Sequence, residues 1–414
     1  MNYPDSVHFL YALGNEIKTA KLGLDRITQV LDALGRPQER VPFVHVAGTN
    51  GKGSTCSMIE SGLRAAGHRT GLFTSPHLAE PTERIQIDGR PISAGRFTAT
   101  FEQVHTAVER VLDMHTTYFE TVTAMALIIF AEERVDTVVL EVGLGGRLDA
   151  TNVVTPELCV ITPIDFDHEQ YLGRSLEGIA AEKAGILKPG VPAVFARQRP
   201  EAAGVLDARA AELGIPVTRT CDWSVRDLAM DARCSRFRLR DLRIHCPLAG
   251  EHQVENAVTA AVALTRLGVP GAAIETGIAQ ARWPGRLELV RQHPDIVVDG
   301  AHNPAGARAL AGYIDRFYHD HPVRLIFGAM RDKAIDEISG TLFPRAHQVI
   351  VTAPRQTRAL APEALSEIIH HPNMRIAATL EDALALVRDA APEEVIFITG
   401  SLFLVAEARA LLPS

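Results

Sequence analysis

Apolar residues at Leu10, Leu13, Ile17, Ile27, Val30, Leu31 and Leu34 recur roughly at helical spacing, so residues 5–35 are predicted to be helical, with an interruption near Gly23. The pattern then changes period. Val41-Pro42-Phe43-Val44-His45-Val46-Ala47 is a β-rich run short enough for a buried strand, a glycine turn follows, and Ser54 to Ala66 reads as a helix ended by Gly67. Thr70 to Phe73, Thr137 to Leu140, Leu158 to Thr162 and Ala193 to Phe195 are further strand candidates, separated by helical segments. Strands that alternate with helices imply a mostly parallel sheet covered on both faces.

From about Cys221 to Pro247 the alternation shortens (Phe237, Leu239, Leu242, Ile244), which predicts a small antiparallel patch, and Asn256 to Leu267 is an Ala-rich helix. Trp283-Pro284-Gly285-Arg286 breaks the pattern. A second alternation begins at Leu287-Glu288-Leu289-Val290, with strands at Ile296 to Val298, Val323 to Phe327, Gln348 to Thr352 and Val395 to Thr399. At 414 residues the chain exceeds what one ordinary core organises. A boundary near Gly285 divides it into domains 1–285 and 286–414.

Composition changes this picture little. Hydrophobic residues make up 46% and charged residues 22%, which excludes wholesale disorder. The net charge of -8, with acids and bases interspersed and no Lys/Arg-rich block, argues against a nucleic-acid partner. Cys56, Cys159, Cys221, Cys234 and Cys246 form no CxxC pair, so neither a disulfide framework nor a structural zinc site is expected. The N-terminus carries Asp5 where a signal peptide carries bases, and the most apolar stretch, Thr121 to Ala131, is about half the ~20 residues of a membrane span. A soluble cytoplasmic protein without a membrane partner is the expectation.

The chemistry starts at Gly48-Thr49-Asn50-Gly51-Lys52-Gly53-Ser54. A strand, a Gly-rich turn with lysine and a helix together cradle phosphates: backbone N–H groups and the helix N-terminus face the anion, the lysine adds charge, and a hydroxyl reaches Mg²⁺. The generic GxxxxGK[ST] pattern is not met, since Val46 stands at the first glycine and Gly53 follows the lysine, so Ser54 or Thr55 would supply the hydroxyl. Thr137-Val138-Val139-Leu140-Glu141 ends an apolar strand in a carboxylate; an acid there either holds magnesium or is simply solvated. Gly143-Leu144-Gly145-Gly146-Arg147-Leu148-Asp149 lacks full GxGxxG spacing and reads as a loop that lets a ligand approach the backbone. Asp167-His168 lies just past a strand's carboxyl end, where α/β active sites collect. Lys183 would by default be a surface helix lysine. Asp299-Gly300-Ala301-His302-Asn303-Pro304 again ends an apolar strand, with Arg286 at the junction, and a domain-closing enzyme would use these residues to exclude water from a phosphorylated intermediate.

In this order, these motifs resemble the folylpolyglutamate synthase family within the Mur ligase superfamily. The resemblance adds Thr74-Ser75-Pro76-His77-Leu78, Thr117-Tyr118-Phe119-Glu120, Leu148-Asp149-Ala150-Thr151-Asn152, Glu182-Lys183-Ala184-Gly185-Ile186, Pro284-Gly285-Arg286 and Gly400-Ser401. It implies an α/β fold: a P-loop ATPase domain with a mostly parallel sheet, plus a smaller Rossmann-like α/β C-terminal domain. It also implies roles. Thr49, Asn50, Gly51, Lys52, Gly53 and Ser54 would bind ATP, helped by Asn256, Arg286 and Asp299. Ser75, Glu141 and His168 would hold magnesium, with two ions expected. Lys183 matches a lysine that the family carbamylates, and His302 would lie near the nucleotide or glutamate. Thr117, Tyr118, Phe119 and Glu120, with Leu148, Asp149 and Ala150, match a dihydropteroate pocket, so dihydropteroate, folates and L-glutamate would be the substrates of a monomeric enzyme. One departure is Asp332-Lys333-Ala334, where members often carry a second acid, which bears on glutamate handling.

The implied reaction passes the ATP γ-phosphoryl group to a substrate carboxylate, and the glutamate amine then attacks the acyl phosphate, with Lys52, Lys183 and His302 as the catalytic candidates. A monofunctional folylpolyglutamate synthase and another Mur-type amide ligase are the nearest alternatives. Only 47 residues precede Gly48, short of the extra domain expected of a cell-wall ligase, and a GTPase-type switch would need an NKxD motif that the sequence does not show.

Overall fold

The computed structural model describes residues 1–14, 23–112 and 114–412. The chain forms two compact units. The first comprises 1–226, 238–244 and 255–281, and the second comprises 227–237, 245–254 and 282–414. The break foreseen at Gly285 thus falls just inside the last segment of the second unit, which also takes two short segments from earlier in the chain.

The first unit is built on strands β1 (Phe43–Ala47), β2 (Thr70–Phe73), β3 (Ile85–Ile87), β4 (Arg90–Pro91), β5 (Thr137–Glu141), β6 (Leu158–Ile161), β7 (Ala193–Phe195) and β8 (Val217–Arg219), ordered β4-β3-β2-β5-β1-β6-β7-β8. β3 and β4 add antiparallel at one edge, and the remaining pairs are parallel. Its helices are α1 (Tyr3–Ala12), α2 (Asp25–Ala33), α3 (Lys52–Ala65), α4 (Ala94–Thr106), α5 (Tyr118–Glu133), α6 (Glu169–Leu172), α7 (Leu176–Ala184) and α8 (Pro200–Leu213). The predicted helix over 5–35 is therefore α1 and α2, and Ile17 lies outside the described residues.

All five residues of β1 and of β5 are buried, as a strand covered on both faces requires. Phe43, Val138, Leu140 and Phe73 join Val122, Met125, Ile129, Phe101 and Leu31 in one apolar cluster, and Ala47, Cys159 and Ile161 join Ile179, Leu206 and Phe195 in a second. Because β1 lies between β5 and β6, the chain leaves it to one side and returns on the other. The carboxyl ends of β1, β2, β5 and β6 therefore open at a topological switch point, where such sheets bind ligands.

Strands β9 (Val225–Met230), β10 (Ser235–Leu239) and β11 (Leu242–Cys246) make a separate three-stranded sheet where the sequence predicted a small patch. Helices α9 (Glu251–Arg266) and α10 (Gly271–Gln280) follow. α10 meets α3 without intervening side chains: a Cβ on Gly277 would sit 2.4 Å from Gly62 Cα and 2.5 Å from Gly62 N.

The second unit carries β12 (Glu288–Arg291), β13 (Asp295–Asp299), β14 (Val323–Phe327), β15 (Gln348–Val351), β16 (Met374–Ile376) and β17 (Val395–Thr399), ordered β12-β13-β17-β14-β15-β16, with only β12 antiparallel. Helices α11 (Pro304–Phe317), α12 (Ile335–Leu342), α13 (Pro362–Ile368), α14 (Leu380–Ala385) and α15 (Leu402–Leu411) connect and flank these strands. Its core gathers Val297, Leu325, Phe327, Val349 and Phe397 against Leu310, Ile314 and Ile338. Among the described residues, no helix is long and apolar enough to cross a membrane.

Candidate active site

The phosphate loop leaves β1 at Gly48 and enters α3 at Gly51. Gly48 has φ 152°, and a Cβ there would lie 1.8 Å from Thr162 Oγ1 at the end of β6; Gly51 has φ 81°, and a Cβ there would lie 2.2 Å from Asn256 Oδ1. Only glycine combines these angles with this closeness. Thr49 and Asn50 donate their backbone N–H groups to the Pro163 carbonyl at 3.0 and 3.2 Å, and Thr49 Oγ1 donates to the Asp165 carbonyl at 2.9 Å. The loop is thereby stitched to the turn after β6. Anion binding then falls to the start of α3, whose first N–H groups have no partners inside the helix and sit at its positive end. Lys52 opens α3, and its Nζ donates to the Thr49 carbonyl at 3.2 Å.

Lys183 departs from the surface position that is the default for a helix lysine. It is buried on α7 and donates from Nζ to the Gly48 carbonyl at 2.8 Å. Burial, reinforced by the neighbouring Lys52, pushes its amine down to about 7, against the pull of Asp167, Asp149 and Glu182. A substantial share of Lys183 is therefore a neutral amine near pH 7. α7 approaches the Gly143–Asp149 loop closely enough that a Cβ on Gly185 would meet Arg147 Cβ at 2.3 Å, and Arg147 pairs with Glu182 at 2.8 Å.

Glu141 ends β5, buried, and accepts the Ser75 N–H at 3.0 Å, so two of the three foreseen metal ligands meet. His168 starts α6 in the left-handed conformation, its N–H on Asp167 Oδ1 at 2.8 Å and its Nε2 4.0 Å from the same oxygen. Among the described residues, no three His, Cys, Asp or Glu side chains form a group able to hold an ion, so the expected set depends on the Ser75 hydroxyl.

Thr117 and Glu120 close a capping box at the start of α5, and buried Glu120 is also paired with Arg26 at 2.8 Å, so its carboxylate holds the helix start rather than opening outward. Tyr118 is buried, with Tyr11 stacked on it at 5.8 Å and the Arg84 guanidinium 5.1 Å above its ring. Arg84 Nε in turn donates to His77 Nδ1 at 2.7 Å. Sequence reasoning gave Tyr11 and Arg84 no role, because nothing local links positions so far apart. Phe119 packs on Phe73 at 5.9 Å and fills the space that a Cβ on Gly143 would take. Asp149 is buried, with Oδ2 accepting the Leu144 N–H at 2.8 Å and Oδ1 accepting Thr151 N–H at 3.0 Å and Oγ1–H at 2.5 Å. Leu148 and Ala150 flank it, Ala150 buried at the start of a 3-10 turn.

In the second unit, Asp299 ends β13, with Oδ2 accepting the Leu287 N–H and Oδ1 the Ala301 N–H, both at 2.9 Å. Burial pushes its carboxyl up, and Arg286 opposes that shift. A Cβ on Gly300 would lie 2.1 Å from Arg286 Nη1. His302 Nδ1 donates to the Gly300 carbonyl at 2.8 Å, which fixes the Nδ1–H tautomer, and Asn303 caps α11. Arg286, Asp299 and His302 thus gather at the end of β13. Asp332 and Lys333 lie in the turn before α12, where Lys333 N–H donates to the Met330 carbonyl.

Residues 46–264 match the Mur ligase middle domain, and residues 285–402 match the Mur ligase glutamate ligase domain. The dihydrofolate synthase/folylpolyglutamate synthase of Mycobacterium tuberculosis is 38% identical, over 94% of this chain and 89% of that protein, and its Bacillus subtilis counterpart is 36% identical over 94% of each. Among solved structures, M. tuberculosis folylpolyglutamate synthase complexed with ADP and AMPPCP superposes with a TM-score of 0.91 at 35% identity, covering 100% of this chain and 99% of that one. E. coli FolC in complex with DHPP and ADP gives 0.90 at 34% identity, covering 99% and 97%. A Gly-rich turn pinned between β6 and α9, a buried lysine on its first carbonyl and a carboxylate at the end of β5 accord with these likenesses, and the chain belongs to the dihydrofolate synthase/folylpolyglutamate synthase family of Mur ligases.

Proposed function

We propose that the chain ligates L-glutamate to dihydropteroate, forming dihydrofolate, and to the γ-carboxylate of folates, with ATP cleaved to ADP and phosphate. The observation that carries this reading is the phosphate loop at the end of β1, beside β5 whose buried Glu141 accepts the Ser75 N–H, in a chain of this family. Start-of-helix N–H groups and Lys52 would hold the β- and γ-phosphates and offset the charge that builds as the γ-phosphoryl group passes to the acceptor carboxylate. The bond to the β-phosphate oxygen breaks as the bond to the carboxylate oxygen forms. The glutamate nitrogen then attacks the acyl carbon, phosphate leaves, and the amine gives up a proton.

Glu141, Ser75 and His168 are the residues that would hold magnesium: a carboxylate and a hydroxyl are the hard oxygen donors it prefers, His168 is a softer nitrogen, and ions bound there would neutralise phosphate charge. The partly neutral amine of Lys183 is the form that adds CO₂, and a carbamate would keep one N–H for the Gly48 carbonyl while turning a cation into an anion. Leu148, Ala150 and Phe119, with Tyr118 and Thr117, are the candidate walls for the acceptor. Roles for Asn256, Arg286, Asp299 and His302 toward nucleotide or glutamate belong to the same proposal, as do an ATP-binding domain at 1–285, a glutamate ligase domain at 286–414, a monomeric state and a cytoplasmic location.

Phosphate release measured with dihydropteroate and then with a reduced folate, each with and without glutamate, tests the reading. Glutamate-dependent release is expected with both acceptors; release with the folate alone would reduce the activity to polyglutamylation, and release with neither would end the proposal. Lys52→Ala is expected to abolish release while leaving the circular dichroism spectrum unchanged.

A further inference from the structure

His45 stands in the middle of β1, wholly buried, in register with Leu140 of β5 and Cys159 of β6. A central parallel strand is normally apolar throughout, and a polar residue there calls for a use. Its Nε2 lies 2.9 Å from Thr151 Oγ1, while its Nδ1 has no hydrogen-bond partner among the described residues. Thr151 Oγ1 lies 2.5 Å from Asp149 Oδ1, and all three side chains are buried.

These contacts run in one direction. The Thr151 hydroxyl donates to Asp149, whose two oxygens also accept backbone N–H groups, so the lone pairs of the hydroxyl receive the Nε2–H of His45. The reverse arrangement would put the histidine proton on Nδ1, where nothing described accepts it, and a buried donor left unmade is destabilising. The Asp149 carboxylate that ends the chain of contacts holds Leu144 N–H with one oxygen and Thr151 N–H with the other, and so ties both sides of the loop in which Leu148 and Ala150 sit.

We propose that His45 and Thr151 are positioning residues for the acceptor subsite: anchored on β1, they direct a hydroxyl proton onto Asp149, and that carboxylate clamps the 144–151 loop in the conformation that presents Leu148 and Ala150 to the pterin-bearing substrate. The proposal rests on the functional reading above. It gives Asp149, which the resemblance assigns to the dihydropteroate pocket, the part of anchor of the loop. Burial, with the Lys188 charge adding to it, pushes the His45 imidazole down to about 3, so the ring is neutral near pH 7. A neutral ring is what the single Nε2–H requires.

Thr151→Val removes the hydroxyl at nearly constant shape, and Thr151→Ser keeps it. The KM for dihydropteroate is expected to rise about tenfold in the valine variant and to return to within about twofold of wild type in the serine variant, while kcat and the KM for ATP stay within about twofold. ¹⁵N spectra of histidine-labelled wild-type protein, with the His45 signal identified by its loss in His45→Gln, are expected to show a protonated Nε2 and a bare Nδ1. An unchanged dihydropteroate KM in Thr151→Val, or ATP and dihydropteroate KM values that rise together, would overturn the proposal. A proton on Nδ1 would overturn it even if the valine variant failed to fold. A wild-type enzyme inert toward both acceptors would remove the functional reading alone, because the ring-nitrogen pattern reports the relay without turnover.

Discussion

Replacing Gly48 by alanine asks a methyl group to occupy space already taken. The added Cβ would lie 1.8 Å from Thr162 Oγ1, 2.9 Å from Thr162 Cβ and 3.0 Å from the Thr162 carbonyl oxygen. Rotating the threonine relieves only the first contact, since the other two atoms are fixed to β6's end. The backbone is also at φ 152°, which side chains other than hydrogen rarely accept. Strain of about 1–3 kcal/mol, overpacking of about 1–3 kcal/mol and about 1–3 kcal/mol from disturbing the acceptor of Lys183 sum to roughly 3–9 kcal/mol before relaxation. The strand is locked between two neighbours, so relaxation falls on the loop. If about 2 kcal/mol of this appears as displaced phosphate-binding groups, ATP affinity drops about 30-fold. Calorimetric titration with a non-hydrolysable ATP analogue reads that loss. Gly67→Ala is the matched control, at φ 91° but with no atom within 4 Å of the added Cβ, and should lose about 1 kcal/mol of stability with unchanged affinity. ATP binding by Gly48→Ala within threefold of wild type would refute the reasoning.

Gly277→Ala forces α10 away from α3, backbone against backbone, and should lower the melting temperature by roughly 5–10 °C at about 2–3 kcal/mol of overpacking; scanning calorimetry that shows no decrease would contradict the tight crossing. Lys183 binds its proton with a pKa of about 7 in the folded protein against 10.5 for an ordinary lysine, so the unfolded chain holds one more proton between those values. Its destabilisation is complete below pH 7 and disappears as pH rises toward 10.5. Relative to Lys183→Met, wild type should therefore gain up to about 1.4 kcal/mol of unfolding free energy per pH unit from pH 7.5 to 9.5 in CO₂-free buffer, and a flat difference would contradict a buried, titrating amine. Arg26→Ala leaves buried Glu120 without its ion pair and should destabilise the start of α5 by about 2–4 kcal/mol, visible as faster amide exchange at Thr121 and Val122; exchange unchanged from wild type would show that the capping box suffices alone.

Much of this was readable in advance, for identifiable reasons. β1, the glycine turn and α3 announce themselves through a change of hydrophobic period and through glycines at fixed places, and Glu141 closes a run too apolar to be anything but a buried strand. Short strands such as β3 and β4 carry no such signal, having three and two residues, with both residues of β4 exposed. Contacts across long sequence separations were illegible in kind. Nothing near Lys183 says that its amine meets Gly48, and nothing near Asn256 says that it backs Gly51. Glu120 and Asp149 show the opposite limit: family pattern marks them, yet only geometry reveals that their carboxylates face their own backbone and an internal arginine or threonine. His45 hid in an apolar run because a single polar residue does not disturb its period.

The meeting of α3 with α10 at Gly62 and Gly277 also bears on inhibitors. Two backbones in contact leave no side chain to yield, so the helix whose first turn seats the phosphates is fixed in place against α10. A phosphate mimic gains affinity from that preformed shape, since little must be ordered on binding. It gains no selectivity, because amide groups read an anion and not the base attached to it. Discrimination by a drug would have to be sought beyond the loop, among the side chains this chain does not share with other nucleotide-binding proteins.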